Sequence, residues 1–259
     1  MNQYQGVFKR YEIKYLIDEV KYQLLREKLQ EYMMEDQYGE IMINNIYFDT
    51  SKSLLIRTSL EKPVYKEKLR LRSYGIPDAS DNVFIELKKK YKGVVYKRRV
   101  KVRLYEAEQY LYHGVPLRET SQITREIDWF LSYYKELIPA MYISYQRVAL
   151  FDRKNVGVRI TFDWDILWRE DNLRLGVGPS GVPILSTGQR LMEIKIPGVI
   201  PLWLSHLLNE LEIYPLSLSK YGIAYQRSLQ NKQTINNKLA DALYLQMNPI
   251  KIKGEIIYA

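Results

Sequence analysis

Apolar and polar residues alternate with period two in several stretches, and each such stretch predicts a strand. They run from Phe8 to Ile17, Met42 to Phe48, Val64 to Tyr74, Val83 to Lys90, Val94 to Leu104, Met141 to Leu150, Gly157 to Trp168 and Leu191 to Ile196. Tyr91-Lys92-Gly93 joins the fourth and fifth as a hairpin turn. Helical spacing lies between the strands. Asp18 is placed to cap a helix whose apolar face carries Val20, Leu24, Leu25, Leu29 and Tyr32. Tyr105 to Tyr112 predicts a second helix. Ser121 to Tyr134 predicts a third, with Ile123, Ile127, Phe130 and Leu131 on one side. Pro201 suits the start of a helix ending near Leu211. Ser217 to Leu229 makes one more, weakened by Gly222, and a short helical pattern with a Lys-rich end follows Asn231.

No repeat, low-complexity tract or linker divides the chain. Residues 1–259 therefore read as one domain, with a core of about 7–229 and a C-terminal extension over 230–259. Strands joined directly or through short helices favour an antiparallel arrangement over a doubly wound sheet. A sheet this wide curls or closes. The expected class is α+β: a closed antiparallel β-barrel with helices packed outside.

Residues two apart in a strand share a face, and here one face is charged. Lys66, Lys68, Arg70 and Arg72 oppose Tyr65, Glu67, Leu69 and Leu71. Glu86, Lys88 and Lys90 oppose Ile85 and Leu87, while Lys97, Arg99, Lys101 and Arg103 oppose Val100, Val102 and Leu104. Arg10, Glu12 and Lys14 share a face, as do Tyr145 and Arg147; Arg159, Thr161 and Asp163; and Glu193 and Lys195. A solvated face mixes both signs freely, whereas this one is mostly basic. Closure gathers its cations around a lumen, where they repel one another and lose hydration unless anions answer them. Phosphates are natural partners for Arg and Lys. The few carboxylates on the same face suit a divalent cation bridging those phosphates.

The overall charge agrees. Lys and Arg number 39 against 30 Asp and Glu, a net of +9, which points to an anionic partner without choosing among them. There is no cysteine, which excludes disulfides and Cys-based metal sites. Two histidines, His113 and His206, are too few for a His-rich zinc site and read as structural or solvent-facing. Any metal is then held by carboxylates, which suits Mg²⁺ or Mn²⁺. No apolar run approaches the ~18 residues of a membrane span, and no signal peptide is visible. The 23 tyrosines fit strand faces and the undersides of helices.

Gly176-Val177-Gly178-Pro179-Ser180-Gly181 spells the dinucleotide fingerprint, but its prolines and the lack of a following helix predict a mobile loop. No P-loop motif is present. Lys88-Lys89-Lys90 with Lys92 sits in a hairpin, where Lys89 points outward.

Arg10-Tyr11-Glu12-Ile13-Lys14-Tyr15 resembles the first-strand Glu-x-Glu-x-Lys motif of the triphosphate tunnel metalloenzymes, the CYTH superfamily, with Arg10 in place of the first Glu. That departure resembles the VTC branch, the catalytic domain of the vacuolar transporter chaperone polyphosphate polymerase and its bacterial relatives. Further matches follow in family order: Asn45 to Thr50, Lys68 to Gly75, Phe84 to Lys88, Ser144 to Arg147, Arg159 to Asp163, Met192 to Lys195 and Ser217 to Tyr221. The resemblance implies an eight-stranded tunnel in which ATP donates its γ-phosphoryl group to a polyphosphate chain and ADP leaves. It implies catalytic roles for Arg10, Lys14, Arg70, Arg72, Lys88, Arg147 and Lys220. Lys97, Arg159, Tyr145, Lys195 and Ser219 would bind substrate. Glu193 would be the main ligand for Mn²⁺ or Mg²⁺, joined by Glu12, Glu86 and Asp163. The implied partners are ATP and inorganic polyphosphate or orthophosphate, with no nucleic acid, in a cytoplasmic setting that allows a membrane partner. Two alternatives stay open: a tunnel triphosphatase that uses water as acceptor, and a polyphosphate-binding module without catalysis. The carboxylate lost at Arg10 is one that hydrolytic relatives use, and its loss favours the polymerase.

Overall fold

Residues 11–92, 94–154, 157–247, 251–252 and 255–256 are described in the computed structural model of the chain, with side-chain environments through residue 238. Arg10, the strand start before Tyr11 and the turn residue Gly93 lie outside the described residues. The strands are β1 (Tyr11–Ile17), β2 (Met33–Glu35), β3 (Ile41–Thr50), β4 (Tyr65–Tyr74), β5 (Asn82–Tyr91), β6 (Val94–Arg103), β7 (Leu137–Asp152), β8 (Arg159–Arg169), β9 (Val182–Pro183) and β10 (Arg190–Ile196). The helices are α1 (Glu19–Leu29), α2 (Leu54–Leu60), α3 (Leu104–His113), α4 (Gln122–Tyr134), α5 (Leu202–Glu210) and α6 (Lys220–Met247). Among the described residues no helix is long and apolar enough to cross a membrane.

These ten strands form one sheet with the order β1-β10-β8-β7-β3-β4-β5-β6, β2 being added on β7 and β9 on β8, and Lys251–Ile252 and Glu255–Ile256 form a separate two-stranded pair. Every pairing is antiparallel. The fold is thus α+β and dominated by an antiparallel sheet. The ladder does not return from β6 to β1 among the described residues, so the closed barrel expected from the alternation is here a curled, open sheet. One physical reason lies at the edge of β1. The edge turned away from β10 is taken at Lys14, whose carbonyl accepts from Leu216 N at 2.8 Å. The curl is nevertheless tight. Lys88 in β5 reaches Glu12 in β1 at 3.3 Å, although six strand spacings in a flat sheet amount to roughly 29 Å. Side chains bridge the seam that backbone pairing leaves open.

Three apolar clusters hold the sheet. On the outer face, α1 and α5 cover β1, β10 and β8 through Leu25, Leu29, Leu204, Phe162 and Ile194. Also outside, α3 and α4 cover β3, β4 and β5 through Ile46, Leu69, Ile85, Ala107 and Phe130. The third cluster is on the inner face, where Ile56 of α2 and Tyr221 and Ala224 of α6 pack on Tyr47, Met141, Ile143 and Trp168. The inner face is therefore not charged throughout. Its apolar half depends on a β-bulge at Asp165, a non-glycine residue with φ of 48°, where the β7–β8 register shifts. Strict alternation would have turned Ile166 and Trp168 outward after Asp163. The bulge keeps all three facing in, and Trp168 pairs with Ile143.

Asp18 caps α1 as expected, accepting from Lys21 N at 2.8 Å. The buried stripe of α1 is Tyr22, Leu25 and Leu29, however, while Val20 and Leu24 face solvent at 70% and 44% exposure. The helix is rotated so that Tyr22 meets Phe162 edge-on at 5.1 Å and lies under the Arg190 guanidinium. Ser121 forms a capping box at the start of α4. The two helical patterns after Ser217 are one helix, α6, which passes Leu229 without a break. Gly222 permits its close approach to α2, because a Cβ there would lie 3.0 Å from a Leu60 methyl. Leu175–Val177 make one 3-10 turn and no α-helix follows, as the prolines predict, but the 176–181 loop is held in place: Arg169, 6% exposed, donates to Gly178 O, Ser180 O and Asn172 O. Lys89 lies over the Trp129 ring outside the sheet, as expected. His113 and His206 are both exposed.

Helix α2 carried no pattern signal. It is built on Asp49, 0% exposed, which accepts from Thr50 N, Leu55 N and Ile56 N at 2.8–2.9 Å and from Tyr221 OH at 3.0 Å. Asp49→Ala strands these donors and is expected to cost about 2–4 kcal/mol, read as a lower urea midpoint; a midpoint equal to wild type would remove Asp49 as the anchor of α2.

Candidate functional site

The basic residues two apart on β4, β5, β6, β7, β10 and β1 converge on the charged half of the inner face. At one side of this basin stands Glu86 of β5, 1% exposed. Arg70 approaches it at 2.7 Å, Lys97 at 2.7 Å, Arg99 at 3.5 Å and Arg72 at 3.8 Å. Burial works against the charge on Glu86, but Arg70, Arg72 and Lys97 outweigh it and hold the carboxyl well below the usual range. Two phenols and an amide extend this group. Arg70 donates to Tyr47 OH at 3.1 Å, and Arg72 donates to Tyr145 OH at 3.1 Å and to Asn45 Oδ1 at 2.8 Å.

Tyr145 connects this group to a second one. Arg147 and Lys220 both lie against its ring, at 5.1 and 4.6 Å. Arg147 grips Asp163 with a fork of 2.6 and 2.7 Å. Lys220, the first residue of α6, donates to Asp163 and lies 3.4 Å from Glu193. Glu193 also meets Lys195 at 3.3 Å, Lys14 at 3.5 Å and Arg147 at 3.9 Å. Burial again opposes ionisation of Glu193, and Lys220, Lys195, Lys14 and Arg147 overcome it. A third group spans the seam, where Glu12 holds Lys14 at 3.4 Å and Lys88 at 3.3 Å. Burial raises its pKa and so does Glu193, yet Lys88, Lys14 and Lys195 bring it down to about 2.

Even with these pairings the cations are in excess, and protein oxygens of no charge serve the remainder. Lys14 donates to Leu218 O at 2.9 Å and Lys66 to Ser59 O at 3.1 Å. Lys68 donates to Ser219 Oγ at 3.3 Å in place of a carboxylate. Burial, reinforced by Lys88, Lys66 and Lys14 and opposed by Tyr47, pushes Lys68 down to about 8. Ser219 also accepts from Gly222 N at 3.2 Å, so it caps α6 and aims the start of that helix at the basin.

Lys14, Arg70, Arg72, Lys88, Lys97, Tyr145, Arg147, Lys195, Ser219, Lys220, Glu12, Glu86, Asp163 and Glu193 are thus brought into one network. Arg159 is not in it: its side chain is half exposed and pairs with Asp36 at 3.0 Å. Arg10 lies outside the described residues. The network also takes in Tyr47, Asn45, Lys68 and Arg99, which were not assigned site roles. Lys68 and Arg99 were already on the charged face by alternation. Asn45 and Tyr47 sit on the inner face of β3, where their uncharged polar tips gave no charge signal.

For a divalent metal, the described residues hold no group of three or more carboxylate, imidazole or thiol side chains. Glu12 and Glu193 share Lys14, and Asp163 and Glu193 share Lys220. Such hard-oxygen pairs fit Mg²⁺ or Mn²⁺ that takes its other ligands from phosphate and water. Glu86 does not fit this role, because its neighbours are four cations and no second carboxylate.

The VTC domain matches residues 9–229 of the chain. No match was found among curated proteins. Among solved structures, a candidate adenylate cyclase from Bacillus halodurans superposes with a TM-score of 0.52 at 13% identity, over 83% of this chain and 96% of that one. A candidate adenylate cyclase from Vibrio parahaemolyticus gives 0.46 at 11% identity, over 85% and 98%. A candidate adenylyl cyclase from Hippeastrum, described with a dominant triphosphatase activity, gives 0.47 at 16% identity, over 83% and 94%.

An anion that settles on Lys68 restores its proton, so affinity is level below pH 8 and falls above it, by up to about tenfold per pH unit. Calorimetric titration with tripolyphosphate between pH 7 and 9.5 reads this directly. Lys68→Arg, which stays charged, is expected to flatten the fall relative to wild type; identical profiles would remove Lys68 from the anion site.

Proposed function

Because the chain belongs to the VTC domain family, we propose that it is an ATP-dependent polyphosphate polymerase. The observation that carries this reading is the excess of cations on one face of the curled sheet, with Lys68 answered by a hydroxyl instead of a carboxylate. Strand residues two apart are separated by about 6.6 Å, and rows of such cations suit a linear anion with repeating charge.

ATP would lay its phosphates on the basin. Arg70, Arg72, Arg147 and Lys220 would hold the oxygens of its β- and γ-phosphoryl groups, and Lys14, Lys68 and Lys88 those of the acceptor chain. A terminal oxygen of polyphosphate, or of orthophosphate at the first step, attacks the γ-phosphorus. The bond from that phosphorus to the β–γ bridging oxygen breaks, and ADP carries the electron pair away. The nucleophile is already an anion, so no base has to deprotonate it. Alignment and charge neutralisation carry the rate. Mg²⁺ or Mn²⁺ on Glu193, with Glu12 and Asp163 beside it, would add a charge-neutralising Lewis acid when bound. Water as acceptor would need a base. Glu12, Glu86, Asp163 and Glu193 are each tied to lysine or arginine, which favours the anionic acceptor.

Incubation with ATP and Mn²⁺ is expected to yield ADP together with polyphosphate chains resolvable on a gel. Lys68→Ala and Lys88→Ala should each lower kcat/KM by about 10²-fold, the order seen when one charge-stabilising contact is removed. Orthophosphate released in step with ADP, with no chain formed, would assign the basin to hydrolysis instead.

A further inference from the structure

On the outer side of β4, away from the basin, the ends of α2 and α4 leave a cavity of about 370 Å³. Tyr65, Tyr133 and Tyr134 form its walls with Leu54 and Lys66, and Glu67 lies among them. Glu67 is 5% exposed. Its Oε1 accepts from Tyr134 OH at 3.4 Å, while Oε2 is buried with no hydrogen-bond partner. The lysines on either side in sequence do not answer it: Lys66 donates to Ser59 O and Lys68 to Ser219 Oγ. Burial first pushes the Tyr65 and Tyr134 phenols up, and Glu67 adds to it, through its hydrogen bond with Tyr65 and then its charge, and through its charge beside Tyr134. The rings therefore stay neutral, and their faces keep the negative quadrupole that attracts cations. At the mouth, Tyr133 and Tyr65 are 62% and 42% exposed, and Trp129 stacks on Tyr133 at 5.1 Å.

A buried carboxylate answered by phenols and by no cation is costly, and tyrosine faces beside it select the same sign of ligand charge. A single carboxylate among rings is a poor set for Mg²⁺ or Ca²⁺, which need many oxygens. It is a good set for an ammonium on an alkyl stem, whose charge meets Glu67 and whose methylenes meet the rings. We propose that this cavity binds an organic ammonium between the tyrosine rings and Glu67, as either a free alkylamine or the lysine side chain of another protein. The site is separate from the basin, so it does not rest on the polymerase reading.

Titration calorimetry of the full chain at fixed ionic strength tests this with butylammonium against butanol, its neutral counterpart. Saturable binding of butylammonium and none of butanol is expected, with at least a tenfold loss in Glu67→Gln and ATP turnover unchanged. Equal binding of the two probes, or equal butylammonium affinity in wild type and Glu67→Gln, overturns the proposal. If Glu67→Gln does not fold, Tyr133→Leu at the exposed ring decides: loss of binding supports the site and no change overturns it. Spermidine and acetyl-lysine methylamide then separate the sources, tighter spermidine marking a free polyamine and tighter lysine amide a protein partner.

Discussion

Cations gathered behind one face of a sheet repel one another and lose water, and each has to be answered by a carboxylate, a carbonyl or an anion from outside. Much of the interior architecture follows from that demand. Glu86 serves Arg70, Arg72, Lys97 and Arg99 at once. Glu193 and Asp163 share Lys220 and Arg147. Where carboxylates run out, uncharged oxygens are drafted in, from Leu218, Ser59 in α2 and Ser219. The carboxylates stay fewer than the cations they answer, and the basin keeps a net positive charge.

The apolar half of the inner face makes this arrangement affordable. Ile56, Met141, Ile143, Trp168 and Tyr221 pack there like an ordinary core, so α6 has a fixed seat next to the basin. Tyr221 stacks on Tyr47 at 4.6 Å and donates to Asp49, which in turn holds α2. Lys220, one residue earlier, is thereby delivered to Asp163 and Glu193. Rigidity at the apolar end is transmitted to the charged end through neighbouring residues of one helix.

The charged face could be read from the sequence because alternation is a strict geometric rule, and Lys66 to Arg72 or Lys97 to Arg103 obey it. The network residues on β4, β5 and β10 followed from that rule, and the family order of motifs added Ser219 and Lys220. Three things escaped it. Asp165 breaks the rule with a bulge, and nothing in its side chain announces the positive φ. Helix α2 is seven residues long and rests on a carboxylate outside itself, so it has no periodicity to detect. Closure of the sheet depends on which edge of β1 is occupied, and the contact that takes it comes from Leu216, some two hundred residues away. Arg159 shows the converse limit: alternation gave its face correctly, but its place near the strand end sends it to Asp36 at the rim.

A seam made of side chains behaves differently from one made of backbone. Amide ladders are nearly indifferent to dissolved ions, whereas the Lys88–Glu12 contact is Coulombic and its lysine is 40% exposed. Screening lengths shrink from about 10 Å at 0.1 M salt to about 3 Å at 1 M. The edge strand β1 and the penultimate strand β5 are thus fastened by a clasp that ionic strength loosens. An anion drawn to Lys88 would compete with Glu12 for the same ammonium, so binding there and the fastening of β5 to β1 draw on one charge.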